Sequence, residues 1–439
     1  MSVKLAIIGG GSSYTPEIIE GIIDRHDKFP VSEIVLVDIE DGKAKLEIIG
    51  HLSKRMIEEA KKPIDIWWTL DRKEALKDAD FVSTQIRVGG LEAREKDERI
   101  PLSHGYIGQE TNGAGGIMKA FRTIPVLMEI AEEMSQLCPD AWMINFTNPA
   151  GIVTEALLKY SKHQKVVGVC NIPYNMRHSS AEILNADPDD VIIDFVGLNH
   201  FVFGRHVYVD GKDRTEEVLA NLASSELDYS PANIISLGWS KQFIESTKLL
   251  PNPYHEYYFK TKEVLEKDIA AFKENGTRAE QVREIEKALF DIYNQPELRE
   301  KPKELEERGG AFYSNVACSL MDSIYNNRGD IQTVNTFNKG ALPSLPYDAV
   351  IEVNCVITKN GPEPIASGDI PKQVKGSILQ LKAFEELVID AAMSGNYEEA
   401  YLSFVMNPLI ANEQDAKVLL DELLEAHQAH LPQFYPEVN

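Results

Sequence analysis

Short apolar runs alternate with amphipathic stretches along roughly the first third of the chain. Residues 5–8 read as a strand, and Ile18, Ile19, Ile22 and Ile23 recur at helical spacing behind the glycine turn that follows. Residues 33–38 form a second strand pattern. Leu46, Ile49, Leu52 and Met56 mark one face of a helix over residues 41–60. Residues 64–69 and 80–85 read as further strands, with a short helix around 72–77 between them. This alternation predicts an α/β fold, a Rossmann-like doubly wound parallel sheet.

The rhythm breaks at residues 87–116, a polar, glycine-rich stretch that predicts a long active-site loop. Arg94 and Glu110 lie in it, and each also reads as an ordinary surface charge. Residues 124–138 predict a helix and 141–146 a strand ending near Asn148-Pro149. A residue before proline is held out of the helical region, so the Asn148 amide is expected to project from the carboxyl end of that strand, where open α/β sheets bind ligands. Strands over 165–169 and 191–196 end just before Cys170 and just before Gly197-Leu198-Asn199-His200. Residues 201–209 continue as strand. From about Thr215 the chain turns helix-rich, with Tyr254, Tyr257 and Tyr258 clustered. Residues 350–357 predict a strand in the second lobe, closed by amphipathic helices over 373–392 and 413–427. No repeat or clear linker divides the 439 residues. The expected partition is a Rossmann-like domain over 1–170 and a closely packed α+β second lobe over 171–439.

Composition narrows the class. Hydrophobic residues are 43% and charged residues 26%, and no run approaches the ~18 apolar residues of a membrane helix. The apolar segment at the N-terminus is too short for a signal peptide. A formal charge of −24 opposes binding to nucleic acid or anionic membranes. Four cysteines without short regular spacing predict reduced thiols and a cytoplasmic protein.

The candidate chemistry begins at Gly9-Gly10-Gly11-Ser12-Ser13, where backbone N–H groups at a helix start can approach a pyrophosphate. Tyr14 stands where the third glycine of the dinucleotide fingerprint is usual, and alone the turn also fits a plain tight β–α connection. Asp38, closing the second strand, supplies the carboxylate that a ribose diol needs and would repel a 2′-phosphate, which favours NAD over NADP. Cys170 and His200, a soft thiol and an imidazole just past two strand ends, are candidate metal ligands beside that dinucleotide. A buried cysteine and a hydrogen-bonded histidine are also common core residues.

These stretches, with Phe146-Thr147-Asn148-Pro149, Cys170-Asn171-Ile172-Pro173, Thr277-Arg278-Ala279 and Asn360-Gly361-Pro362-Glu363-Pro364-Ile365, resemble glycoside hydrolase family 4 over nearly the whole chain. That family comprises NAD- and divalent-metal-dependent glycosidases and departs from the usual two-carboxylate mechanism. Asn171 after the cysteine resembles the members acting on 6-phospho-β-glucosides; members acting on 6-phospho-α-glucosides typically carry Asp there, and α-galactosidases His. The resemblance implies that Cys170 and His200 bind Mn²⁺ or a similar ion. It implies that Arg94, Asn148, Asn171 and Arg278 contact the sugar phosphate or hydroxyls, and that Tyr254 is a base whose basicity Glu110 raises. It further implies oxidation at carbon 3, elimination of the aglycone, water addition and re-reduction, in a homodimer or homotetramer. An amide at Asn171 cannot give a proton as a carboxylic acid can, so the group protonating the leaving oxygen is unassigned. The competing readings are a lactate/malate-type NAD-dependent dehydrogenase and a dinucleotide-sensing regulator.

Overall fold

The computed structural model describes residues 2–224, 234, 236–308 and 312–436. Among them, β1 (Val3–Ile8), β2 (Val31–Val37), β3 (Asp65–Thr69), β4 (Phe81–Thr84), β5 (Trp142–Asn145) and β6 (Val166–Gly168) are parallel neighbours in the order 3-2-1-4-5-6. Central strands of such a sheet are covered on both faces, which is why Leu5, Ala6 and Ile7 on successive positions of β1 are all buried. The strand order reverses between β1 and β4, and this crevice is where open sheets bind nucleotides.

β7 (Val191–Leu198), β8 (Phe201–Val209) and β9 (Lys212–Asp213) form a separate antiparallel sheet. With the helices Ile172–Leu184, Thr215–Ser224 and Thr261–Asn275 it packs around a hydrophobic core of its own. The chain then returns: β10 (Ile331–Phe337) pairs antiparallel with β6, followed by β11 (Val350–Thr358) and β12 (Gly361–Pro364). The strand expected over 350–357 therefore exists but lies in the main sheet rather than in the second lobe. Its residues are buried almost without interruption, and only an interior position covers both faces of such a strand. The smaller sheet packs on it, where Asn354 Nδ2 donates to Ile193 O at 2.7 Å.

Residues 87–116 also differ from expectation. They contain the helix Gly90–Ser103, and the next helix, Gly113–Leu137, begins well before residue 124. The first helix hides from an apolar pattern because its buried face carries Arg94, Asp97 and Glu98. The second starts at glycines that a side chain could not replace: a Cβ at Gly115 would lie 2.5 Å from Gln109 O, and one at Gly116 2.4 Å from Thr111 O. No helix among the described residues is long and apolar enough to cross a membrane.

Candidate active site

The glycine turn is hooked to the end of β2. Gly9 N and Gly10 N both donate to Val37 O, at 2.9 and 2.7 Å, and Gly9 has a φ of +84°. Gly11 N donates to Asp38 Oδ2 at 2.9 Å, and a Cβ at Gly11 would stand 2.7 Å from that oxygen. Burial pushes the Asp38 carboxyl above its ordinary value, against the N–H groups of Ile39 and Gly11. Ser12 closes the turn by donating its N–H to Gly9 O at 3.0 Å. Ser13 is buried; its Oγ meets Glu286 Oε1 at 3.3 Å and its carbonyl accepts from Tyr293 Oη at 2.9 Å. Gly9, Gly11, Ser12, Ser13 and Asp38 thus meet at one strand end. Tyr14 has the Arg308 guanidinium over its ring at 5.2 Å.

Behind this turn lies a buried charge cluster. Glu110 pairs with Arg87, with Arg94 Nη1 at 3.2 Å and with Lys119 Nζ at 3.1 Å. Burial alone would raise its carboxyl, but the three cations outweigh it and hold the group well below the usual range. Burial, then the neighbouring Arg87, bring the Lys119 ammonium down to about 7. Arg94 Nε also donates to Glu98 Oε1 at 2.7 Å, and Glu98 Oε2 accepts from Ala279 N at 2.8 Å. That last bond brings the start of the Arg278–Tyr293 helix to the cluster. Burial, Arg94 and Arg308 lower the Arg278 guanidinium, as expected where cations converge. Arg94, Glu110 and Arg278 are therefore neighbours; Arg87, Glu98 and Lys119 were missed. Lys119 carried a legible signal, because a lone cation in the run Gly116-Ile117-Met118-Lys119-Ala120-Phe121 needs a buried partner.

On the other side, His200 sits in the left-handed region with φ +62° and stacks on Tyr254, ring centroids 3.8 Å apart and planes 11° apart. Asn252 fixes that tyrosine: its Oδ1 accepts from Tyr254 N at 2.8 Å while its Nδ2 donates to Val202 O on β8 at 2.9 Å. Burial first, with Lys119 adding, depresses His200 to about 3, so its imidazole is neutral with a free lone pair. Cys170 is a buried free thiol raised by burial and by Glu352, with Ile172 N donating to its sulfur at 3.5 Å. The Tyr254 phenol is pushed well above 10 by burial, then by Cys170, Tyr257 and Glu110. A neutral imidazole and a desolvated soft sulfur suit a divalent transition ion, which ionises a thiol that burial keeps protonated. Tyr254 links the two, stacking on the imidazole and feeling the thiol's charge, and among the described residues no group of three or more His, Cys, Asp or Glu side chains is gathered.

Asn148 and Asn171 lie at the carboxyl ends of β5 and β6. Asn148 precedes a cis proline and its Oδ1 accepts from Ala150 N at 3.3 Å; Asn171 immediately precedes the Ile172–Leu184 helix, with no side-chain capping bond. A small cavity lies between Thr111, Pro149, Asn199, His200, Tyr258 and Glu385.

Known proteins resemble this chain over nearly its whole length. Residues 4–186 match the model of the family 4 glycosyl hydrolases, and residues 195–410 that of the family 4 glycosyl hydrolase C-terminal domain. The chain is 53% identical to a probable 6-phospho-beta-glucosidase of Bacillus subtilis (strain 168), over 99% of each chain. It is 48% identical to a 6-phospho-beta-glucosidase of Escherichia coli (strain K12), over 98% of this chain and 97% of that one. The solved 6-phospho-beta glucosidase of Thermotoga maritima, with manganese, NAD+ and glucose-6-phosphate, matches with a TM-score of 0.90 and 34% identity over 98% of this chain and 99% of that one. Malate dehydrogenase of Plasmodium falciparum shares only the fold, with a TM-score of 0.53 and 16% identity over 89% of this chain and 98% of that one. Two family models that together span the Rossmann-like sheet and the lobe carrying His200 and Tyr254 leave one conclusion: the chain belongs to glycosyl hydrolase family 4.

Proposed function

We propose that the protein hydrolyses 6-phospho-β-glucosides with bound NAD and a divalent ion such as Mn²⁺, as a homodimer or homotetramer. Residues 1–170 chiefly carry the dinucleotide, and 171–439 supply most metal, substrate and subunit contacts. The observation that carries this reading is the Tyr254 ring lying on the His200 imidazole, with the Cys170 thiol in electrostatic reach and a cationic cluster alongside. A dehydrogenase of the malate type has no use for a Cys/His donor pair, and its likeness to this chain stops at the fold.

Bound NAD would supply reversible hydride transfer at carbon 3 of the sugar, and an ion held by Cys170 and His200 would supply Lewis acidity toward the sugar oxygens. The chain's own residues do the rest. Asp38 and the turn N–H groups of Gly9, Gly11, Ser12 and Ser13 hold ribose and pyrophosphate. Arg94 and Arg278 grip the phosphate, and Asn148 and Asn171 the hydroxyls. A ketone at carbon 3 acidifies carbon 2; Tyr254 as phenolate takes that proton, and the aglycone leaves carbon 1 with its bonding electrons. Water then adds at carbon 1 and the proton returns to carbon 2. The Glu110 charge opposes ionisation of Tyr254 directly, so its help is indirect: it gathers Arg87, Arg94 and Lys119 into a net positive cluster.

The test is release of nitrophenol from p-nitrophenyl β-glucoside 6-phosphate, omitting NAD⁺ and Mn²⁺ in turn, with the α isomer run in parallel. Turnover of the β isomer that needs both additions and leaves no net NADH is expected. Steady NADH formation from a small hydroxy acid, without nitrophenol, would overturn the reading.

A further inference from the structure

Asn199 lies at the tip of the β7–β8 hairpin, next to His200, and its amide meets three separate parts of the chain. Oδ1 accepts from Gly151 N at 3.3 Å, Nδ2 donates to Glu352 Oε1 at 3.1 Å, and the side chain hydrogen-bonds the Cys170 sulfur. A Cβ at Gly151 would stand 2.8 Å from that of Asn199, so the approach requires glycine. Glu352 is fully buried on β11. The same Oε1 accepts from Asn335 Nδ2 at 2.9 Å, and Asn335 pairs in the sheet with Gly168, just before Cys170. Its Oε2 has no hydrogen-bond partner among the described residues. Burying a carboxyl with one oxygen unmatched is costly, so its retention calls for a role. An N–H of the main chain only donates, and the Glu352 oxygen accepts from two amides. Together these fix the amide of Asn199 with its NH₂ toward Glu352 and the sulfur.

We propose that Asn199 and Glu352 are a positioning couple behind the divalent-ion site: Glu352 orients the Asn199 amide, which donates to the Cys170 sulfur and holds the hairpin tip that presents His200. Neither residue is a ligand in this proposal, which rests on reading Cys170 and His200 as the ligands. Outer partners of this kind commonly change metal affinity by about ten- to a hundredfold. They also hold backbone in unfavourable regions, as at the left-handed His200.

Chelator-stripped, NAD⁺-loaded protein would be titrated with Mn²⁺, free ion being read by electron paramagnetic resonance, and with Co²⁺, whose sulfur charge-transfer band reports on Cys170. Glu352→Leu and Asn199→Asp are expected to weaken Mn²⁺ binding at least tenfold and shift the band. Glu352→Gln should lose less, since its amide oxygen still accepts. The double variant N199D/E352Q rebuilds the pair with reversed polarity. Its thermal stability should return toward that of the unmodified protein, while Mn²⁺ affinity stays low and the band stays shifted. A folded double variant with unchanged affinity and band, or Glu352→Leu binding Mn²⁺ normally, overturns the proposal. Unmodified protein that binds no Mn²⁺ would instead fail the ligand reading, and this proposal with it.

Discussion

Glu110 shows how one side chain can act through the company it keeps. Three cations crowd a single carboxylate, so Glu110→Gln leaves buried positive charge without compensation and should cost about 3 kcal/mol of stability, measured by urea unfolding. Tyr254 is tested by chemistry rather than stability. Tyr254→Phe keeps the stack on His200 but has no oxygen to take a proton, so exchange of the carbon 2 proton with solvent deuterium should vanish. Retained exchange would move the base to Tyr257 or Tyr258. If Arg278 grips the phosphate as proposed, Arg278→Ala removes a charge-assisted contact and should raise KM for the phosphorylated substrate by roughly ten- to a hundredfold, with kcat changed less. An unchanged KM would remove Arg278 from the phosphate site.

Elements carry these side chains, and one of them titrates in a useful range. On the Thr261–Asn275 helix, Asp268 accepts from Gly108 N at 3.3 Å, just before Glu110, and burial raises its carboxyl to about 6. An unfolded aspartate titrates near 3.9. The folded state therefore prefers the neutral acid, and stability is lost as pH rises from about 4 to about 6. Asp268→Asn keeps the acceptor without the charge. It should stabilise the protein by about 1–3 kcal/mol at pH 8, with the gain shrinking toward pH 4, in unfolding curves taken across that range. Periodicity revealed elements whose buried faces are apolar, such as β1 and the Lys43–Ala60 helix. It failed at Gly90–Ser103, where Arg94 and Glu98 pair on the buried side, because an ion pair satisfied by tertiary partners looks like surface in sequence. Resemblance, not periodicity, is what singled out Cys170 and His200 as proposed donors and Tyr254 as the proposed base. Glu352 was not singled out, since a lone acid in an apolar strand pattern does not say which distant loop it meets.

At the scale of the molecule, the C-terminal region clamps the Gly90–Ser103 helix. Arg122 lies bidentate on Asp97 at 2.9 and 2.5 Å, and His427 Nε2 reaches the same carboxylate at 3.0 Å, all fully buried. Asp97→Asn would strand the Arg122 charge and should cost about 3–5 kcal/mol, with Arg94 one turn away loosened in consequence; urea unfolding and KM measured together would show both. The return of β10 to β6 has a consequence during synthesis. Until residues 331–337 leave the ribosome, the outer edge of β6, which leads into Cys170, has no partner strand. At ordinary elongation rates that interval is on the order of ten to thirty seconds, longer than most domains need to fold. The nascent N-terminal domain therefore spends that time with an open sheet edge beside Cys170, a window in which chaperones, or a second nascent chain, compete with its own C-terminal third.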